Sequence, residues 1–292
     1  PIAFYQFFND GRAEGYTNAI QFGDLAIFLS FCCFIFSISK SLTPLIRFTF
    51  ALSSLSAFIV SVLSLSRGGW PFLLFFPVAA YFLIQDKKLY KKVVTLFFIA
   101  VFIFVTAALQ SEQVKTRVKQ SQEEFSAYIQ HPTGQAITSV GQRLEQWRLA
   151  WKLGKERPIT GWGDTGLIAA KQSFVDRGEA DPSVMEYGHA HNEWMDNWAR
   201  RGGIGTLFLL AVYLVPFFIF FPTKNRLQKA PTNQREALLQ LRLLGVFLPI
   251  AYFVFGLTQC FFAHNSGHIF YLFFQIVLWS SISGLEEEKR GI

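Results

Sequence analysis

The sequence predicts an all-α integral membrane protein, a polytopic helical bundle of about seven spans with a small helical cap over one mouth. Three observations predict it. Of 292 residues, 51% are hydrophobic and 16% charged, with 34 phenylalanines, a balance foreign to a soluble domain. Seven long apolar runs recur along the chain, most near the roughly 17 to 25 residues a spanning helix needs. Basic residues concentrate in alternate short loops, as in a protein threaded back and forth through a bilayer.

The runs cover Phe22 to Ser39, Leu45 to Ser66, Trp70 to Ile84, Val93 to Leu109, Ile204 to Phe221, Leu238 to Gln259 and His268 to Ser283. The third and last are short. The third contains Pro77 and the sixth contains Arg242 and Pro249, so both are expected to pack inside the bundle rather than face lipid. Cys32, Cys33 and Cys260 lie within or beside apolar runs, with no metal or disulfide spacing, and read as small core residues.

The net charge of +7 does not point to nucleic acid, because it resides in the short loops. Lys40 and Arg47, then Lys87, Lys88, Lys91 and Lys92, then Lys224, Arg226, Lys229 and Arg235 all fall on one side, which the positive-inside rule makes cytoplasmic. The tail EEEKRGI joins them. The opposite face then carries the stretch with Arg12, the turn SRGGWP at 66 to 71, the long segment from Gln110 to Gly203, and CFFAHNSG at 260 to 267. Three regions follow: 1–109, transmembrane helices with short loops; 110–203, an outward helical segment carrying the candidate site; 204–292, C-terminal transmembrane helices and tail. Within the cap, Ser111 to Tyr128 and Val140 to Leu153 have helical apolar spacing, and RPITGWGDTG at 157 to 166 is a turn cluster. The chain opens at Pro1 without a charged-then-apolar signal segment, and further helices are expected before it.

The chemistry-bearing stretch is GHAHNEWMDNWARRGGIG at 188 to 205. His189 and His191, two residues apart, point to opposite sides of a strand and about 200° apart on a helix, a poor metal chelate, and no HExxH, CxxC or DxD accompanies them. No metal and no cofactor is called for. His191 has a side chain that titrates near neutrality and suits proton abstraction. On a helix starting near Asn192 it would share a side with Trp194, Met195 and Trp198, with Asn192 as N-cap and Gly202 and Gly203 separating that helix from the next span. The commoner role of a lone histidine is structural. Arg67 in SRGG, Arg143 in GQRLEQWRLAW and Arg12 carry planar forks that grip phosphate oxygens with two bonds; interfacial arginines more commonly snorkel to lipid head groups.

These elements together resemble the bacterial O-antigen ligases, within the O-antigen ligase and polymerase superfamily. His191, Asn192, nine residues, Gly202, two residues and Gly205 are similar to the ligase His-Asn, spacer and GxxG pattern. SRGGW resembles the SRG element, GQRLEQW the GxRxxxW element before a PxxGxG turn (Pro158, Gly161, Gly163), and GRAEGYTNAIQFGD the RxxGxxxNPIxFG element. Four elements in order cover most of the chain. Ala19 stands where the pattern usually has Pro, and about five of the family's dozen helices would precede Pro1.

The resemblance implies a C-type membrane glycosyltransferase, inverting and metal-independent, that transfers a glycan from undecaprenyl diphosphate to the lipid A core oligosaccharide on the periplasmic face of the Gram-negative inner membrane, in lipopolysaccharide biosynthesis. It makes His191 the general base and Arg67 and Arg143 the diphosphate ligands, with Arg12, His189 and Asn192 at motif positions of less defined role. The nearest rivals are an O-antigen polymerase and a protein O-glycosyltransferase. A transporter would carry polar residues down its spans, whereas only Arg242 and Asp24 stand out.

Overall fold

The computed structural model describes residues 2–110, 112–130 and 138–288. The expected helix start at Ser111 and residues 289–292 of the tail lie outside the described residues. Among the described residues there is no strand. Among the described residues, five helices are long and apolar enough to cross a membrane: α2 (Ala19–Ser37), α3 (Pro44–Leu63), α9 (Glu193–Phe220), α11 (Arg235–Gly256, with the 3-10 turn Thr232–Gln234 before it) and α12 (Asn265–Glu288). The protein is an all-α polytopic membrane protein.

The third expected span is broken. Trp70–Leu74 is a 3-10 turn and α4 (Phe75–Leu83) has nine residues, about 13 Å of helix against a core of about 30 Å. Pro77 falls in the first turn of α4, where a missing N–H costs nothing. The fourth run lies within the 24-residue helix α5 (Lys87–Gln110). The other helices are α1 (Ile2–Asp10), α6 (Glu112–Gln130), α7 (Ser139–Glu156), α8 (Gly163–Asp176) and the short α10 (Lys224–Leu227).

The chain divides into two compact units. The first comprises residues 1–95, 212–255 and 261–292. Here α2 and α11 are buried over most of their length, whereas α3 and α12 expose most of theirs. Phenylalanines fill the centre: Phe31 meets Phe72, Phe76 and Phe247 edge-on at 5.1, 5.1 and 5.0 Å, the geometry favoured by ring quadrupoles. Ser30 and Ser54 exchange hydroxyl-to-carbonyl bonds of 2.8 Å between α2 and α3, a close approach that small residues permit. Pro216 in α9 leaves the carbonyl four residues earlier without its helical donor. That carbonyl, of Val212, accepts the Tyr271 hydroxyl at 2.6 Å. Arg242 is buried as expected and paired with Glu286, which also meets Lys229 at 3.5 Å.

The second unit comprises residues 96–211 and 256–260. It has its own core, in which Leu149 and Leu153 of α7, Leu167 and Phe174 of α8, Val184, Ala190 and Ala199 pack together. Cys32 and Cys260 are buried thiols and Cys33 is half-buried.

Candidate functional site

In the first unit, two of the motif stretches interlock. Asn18 caps α2 by accepting from Gln21 N at 2.9 Å, so Ala19 occupies the first helical position, the one where Pro is also accommodated. Arg12 donates from Nε to the Ser64 carbonyl at 2.7 Å, and Ala13 N to that of Leu63 at 3.1 Å. A guanidinium on carbonyls past a helix C-terminus complements the dipole, which gives Arg12 a structural contact. Gln6 clamps the turn, accepting from Gly15 N at 2.9 Å and donating to its carbonyl at 3.0 Å. Leu65 takes a left-handed φ of +56°, and the turn it starts buries Ser66, whose hydroxyl reaches Asp24 Oδ1 at 3.3 Å, while Arg67 is exposed.

In the second unit, α7 holds the loop that bears the histidines. Consecutive residues of GQRLEQW each take a loop group. Glu145 Oε1 accepts from Asp181 N at 3.1 Å, Gln146 donates to the Val184 carbonyl at 3.0 Å, and the Trp147 indole donates to the Ala190 carbonyl at 2.9 Å. Arg143, exposed, lies one helical turn before Trp147 and on the same side of α7. Lys171 of α8, buried, donates to Gln146 Oε1 at 3.1 Å and to the carbonyls of Val184 and Tyr187, both at 3.3 Å. Burial pushes its ammonium below the ordinary lysine range. From the other side, Asp196 Oδ1 accepts from Ala190 N at 3.0 Å and Arg200 donates to the Gly188 carbonyl at 2.8 Å and to Asp164 at 2.6 Å.

Glu145 anchors this frame. It is fully buried, and its Oε2 accepts from both the Tyr128 hydroxyl and Arg148 Nε at 2.7 Å. Burial alone would raise its pKa, but the bonds from Arg148, Tyr128 and Asp181 outweigh it and hold the carboxyl below the usual range.

His191 departs from the expected geometry in two ways. Helix α9 begins at Glu193, and His191 precedes it with a left-handed φ of +50°, so it does not share a helical face with Trp194, Met195 and Trp198. The same turn brings His189 and His191 together rather than apart: their rings meet edge-on with centroids 4.4 Å apart, and His191 N donates to His189 Nδ1 at 3.3 Å. Tyr187 packs edge-on against His191 at 5.0 Å. His191 Nδ1 lies 3.0 Å from Gln259 Oε1. Asn192 is the expected cap, its Oδ1 accepting from Trp194 N at 3.0 Å and Met195 N at 3.1 Å, and its amide donates to the Leu257 carbonyl at 3.0 Å. Leu65 and His191 are the non-glycine residues with positive φ among those described, and such backbone is held only where surrounding contacts over-determine it.

The glycines at 202 and 161 explain the remaining motif spacing. Gly202, at φ +62° and ψ −156°, breaks α9 in a region almost reserved for glycine. The freed donors are taken up by the PxxGxG turn, Gly203 N reaching the Pro158 carbonyl at 2.7 Å and Ile204 N that of Ile159 at 3.1 Å, and in return Trp162 N of the turn donates to the Ala199 carbonyl of α9 at 3.1 Å. A Cβ on Gly161 would stand 2.5 Å from the Arg200 carbonyl carbon. No group of three His, Cys, Asp or Glu side chains converges as metal ligands would among the described residues.

A sequence model of the O-antigen ligase family matches residues 48–210, more than half of the chain and the span from SRG to the glycine break. The chain belongs to the O-antigen ligase family. It is also similar to a protein of Haemophilus influenzae described as uncharacterized, at 27% identity over 276 residues, taking in 92% of this chain and 67% of that protein. Arg67, Arg143, His189, His191 and Asn192 all fall inside the family match; Arg12 lies before it. Within each unit the structure of this O-antigen ligase family member brings motif residues together: Arg12 lies beside the SRG turn, and Arg143 is on the helix that holds the histidine loop. Sequence reasoning missed Gln259, Lys171, Arg200 and Gln6. An Asp196–Arg200 pair at i, i+4 is visible in sequence; a buried lysine and two glutamines have no local signature.

Proposed function

We propose that this member of the O-antigen ligase family transfers a glycan from undecaprenyl diphosphate to the lipid A core oligosaccharide, on the periplasmic face of the Gram-negative inner membrane. The acceptor hydroxyl oxygen attacks the anomeric carbon from the face opposite the leaving group, and the bond from that carbon to the diphosphate oxygen breaks. His191 takes the hydroxyl proton, assistance commonly worth about 10² to 10⁴ in rate. Arg67 and Arg143 each offer a guanidinium fork to diphosphate oxygens, whose charge grows as the bond breaks. The lipid diphosphate leaves with that charge, and the sugar is inverted. His189 and Asn192 hold the base, and Arg12 supports the turn that carries Arg67.

The observation that carries this reading is the Trp147 bond to the Ala190 carbonyl. It ties the helix bearing one arginine to the residue between the two histidines, so positive charge and proton acceptor sit on one braced frame. Reconstitution of the protein with undecaprenyl diphosphate glycan, with and without lipid A core, tests it. Product formed only when the core is present supports ligation. Longer carrier-linked chains formed without the core would replace it with a polymerase.

A further inference from the structure

We propose that Gln259 is the positioning residue for His191, fixing the imidazole in the form protonated on Nδ1 so that Nε2 is the proton-accepting nitrogen. This rests on the general-base reading of His191.

The argument begins with which atom of the Gln259 amide faces the ring. Cys260 N approaches Gln259 Oε1 at 3.1 Å. A backbone N–H only donates, so the atom that meets it is the amide oxygen, not the amide nitrogen. His191 Nδ1 lies 3.0 Å from that same oxygen. An oxygen cannot donate, so Nδ1 must carry the hydrogen. A neutral imidazole with its proton on Nδ1 has its lone pair on Nε2. The two convergent donors thus set both the amide orientation and the tautomer.

Position is fixed as firmly as protonation. Gln259 is buried, 3% exposed, so water does not compete for its oxygen. The next residue, Asn192, binds the Leu257 carbonyl at 3.0 Å, which docks the His-Asn pair on the short segment 257–260 by two neighbouring bonds. The left-handed backbone at His191 and the ring edges of Tyr187 and His189 hold the imidazole in that register. The arrangement is the one by which an acceptor behind a catalytic histidine selects its tautomer in other enzymes, with a neutral amide in the place of a carboxylate.

The test pairs spectroscopy with kinetics. The chain has five histidines, so ¹⁵N-histidine labelling of the full chain in detergent, with His191→Gln to assign the signal, reads the tautomer directly. The expected wild-type spectrum shows His191 protonated on Nδ1 at pH above its titration. Gln259→Met, similar in shape without the acceptor, shifts the proton toward Nε2; Gln259→Glu, whose oxygen still accepts from both donors, keeps it on Nδ1. In the transfer assay Gln259→Met lowers kcat about 10- to 100-fold, the usual cost of removing the partner that orients a functional histidine, with donor KM within about twofold. Gln259→Glu recovers most of the rate. A wild-type His191 protonated on Nε2 overturns the proposal even if every Gln259 variant misfolds, and so does a Gln259→Met enzyme with normal kcat. Near-normal transfer by His191→Ala overturns the general-base reading instead, and leaves the tautomer measurement standing.

Discussion

Asn192 joins Leu257 through a 3.0 Å bond from its side-chain amide while its carbonyl end caps α9. One side chain therefore both starts a helix and docks a segment distant in sequence, which requires an acceptor and a donor on the same group. Asparagine supplies both; aspartate supplies only the acceptor. Asn192→Asp is expected to retain the cap yet lower stability by about 1–3 kcal/mol, because on a buried side chain a negative charge replaces the donor facing the Leu257 carbonyl. Thermal unfolding in detergent reads this out, and an unchanged midpoint would remove the docking role.

The break at Gly202 gives a second prediction. A Cβ there would lie 2.6 Å from the Ile159 carbonyl carbon and oxygen, on a backbone at φ +62°. Gly202→Ala should cost about 3 kcal/mol or more, strain and clash together. Gly166 is the contrast: inside α8, its added Cβ would meet nothing closer than 3.8 Å, and Gly166→Ala should stabilise by about 0.5–1 kcal/mol. Melting curves of the two variants should move in opposite directions.

The frame around Glu145 should make the second unit acid-sensitive. Its folded pKa lies below the ordinary value of 4.5, so its stabilisation is complete above that value and is lost as pH falls through the depressed folded pKa. Between pH 6 and pH 3 the midpoint of unfolding should drop. Glu145→Gln should melt lower at pH 6 and lose less on acidification, since the titrating carboxyl is gone. Equal pH dependence in variant and wild type would assign the acid response to other groups.

For the proposed diphosphate ligands, Arg67→Lys and Arg143→Lys keep the charge and lose the fork. Transfer from the lipid-linked donor should fall by roughly one to two decades, the scale of a lost charge-assisted contact. If either variant transfers normally, that arginine is a head-group contact.

Much of this was legible in the sequence because it is local. Apolar runs of spanning length follow from the bilayer's thickness, the cap at Asn192 from a side chain reaching its own next turn, and the break at Gly202 from a backbone that few other residues adopt. The run Trp70 to Ile84 has the hydropathy of a single span, yet a 3-10 turn precedes a nine-residue helix within it, an interruption that hydropathy does not register. A strand or a helix would point His189 and His191 apart, and the left-handed backbone at His191 is neither.

By itself, the sequence determined that this is a helical membrane protein with four ordered motif stretches, and it marked His191 among five histidines. Only the tertiary structure decided what those residues touch. Trp147, Lys171 and Arg200 fasten the loop from Asp181 to Ala190, and that fastening sustains a left-handed histidine whose ring nitrogen faces Gln259. Sixty-eight residues separate His191 from Gln259, and the bond between them exists because two chain segments are folded together, for which a linear pattern has no mark.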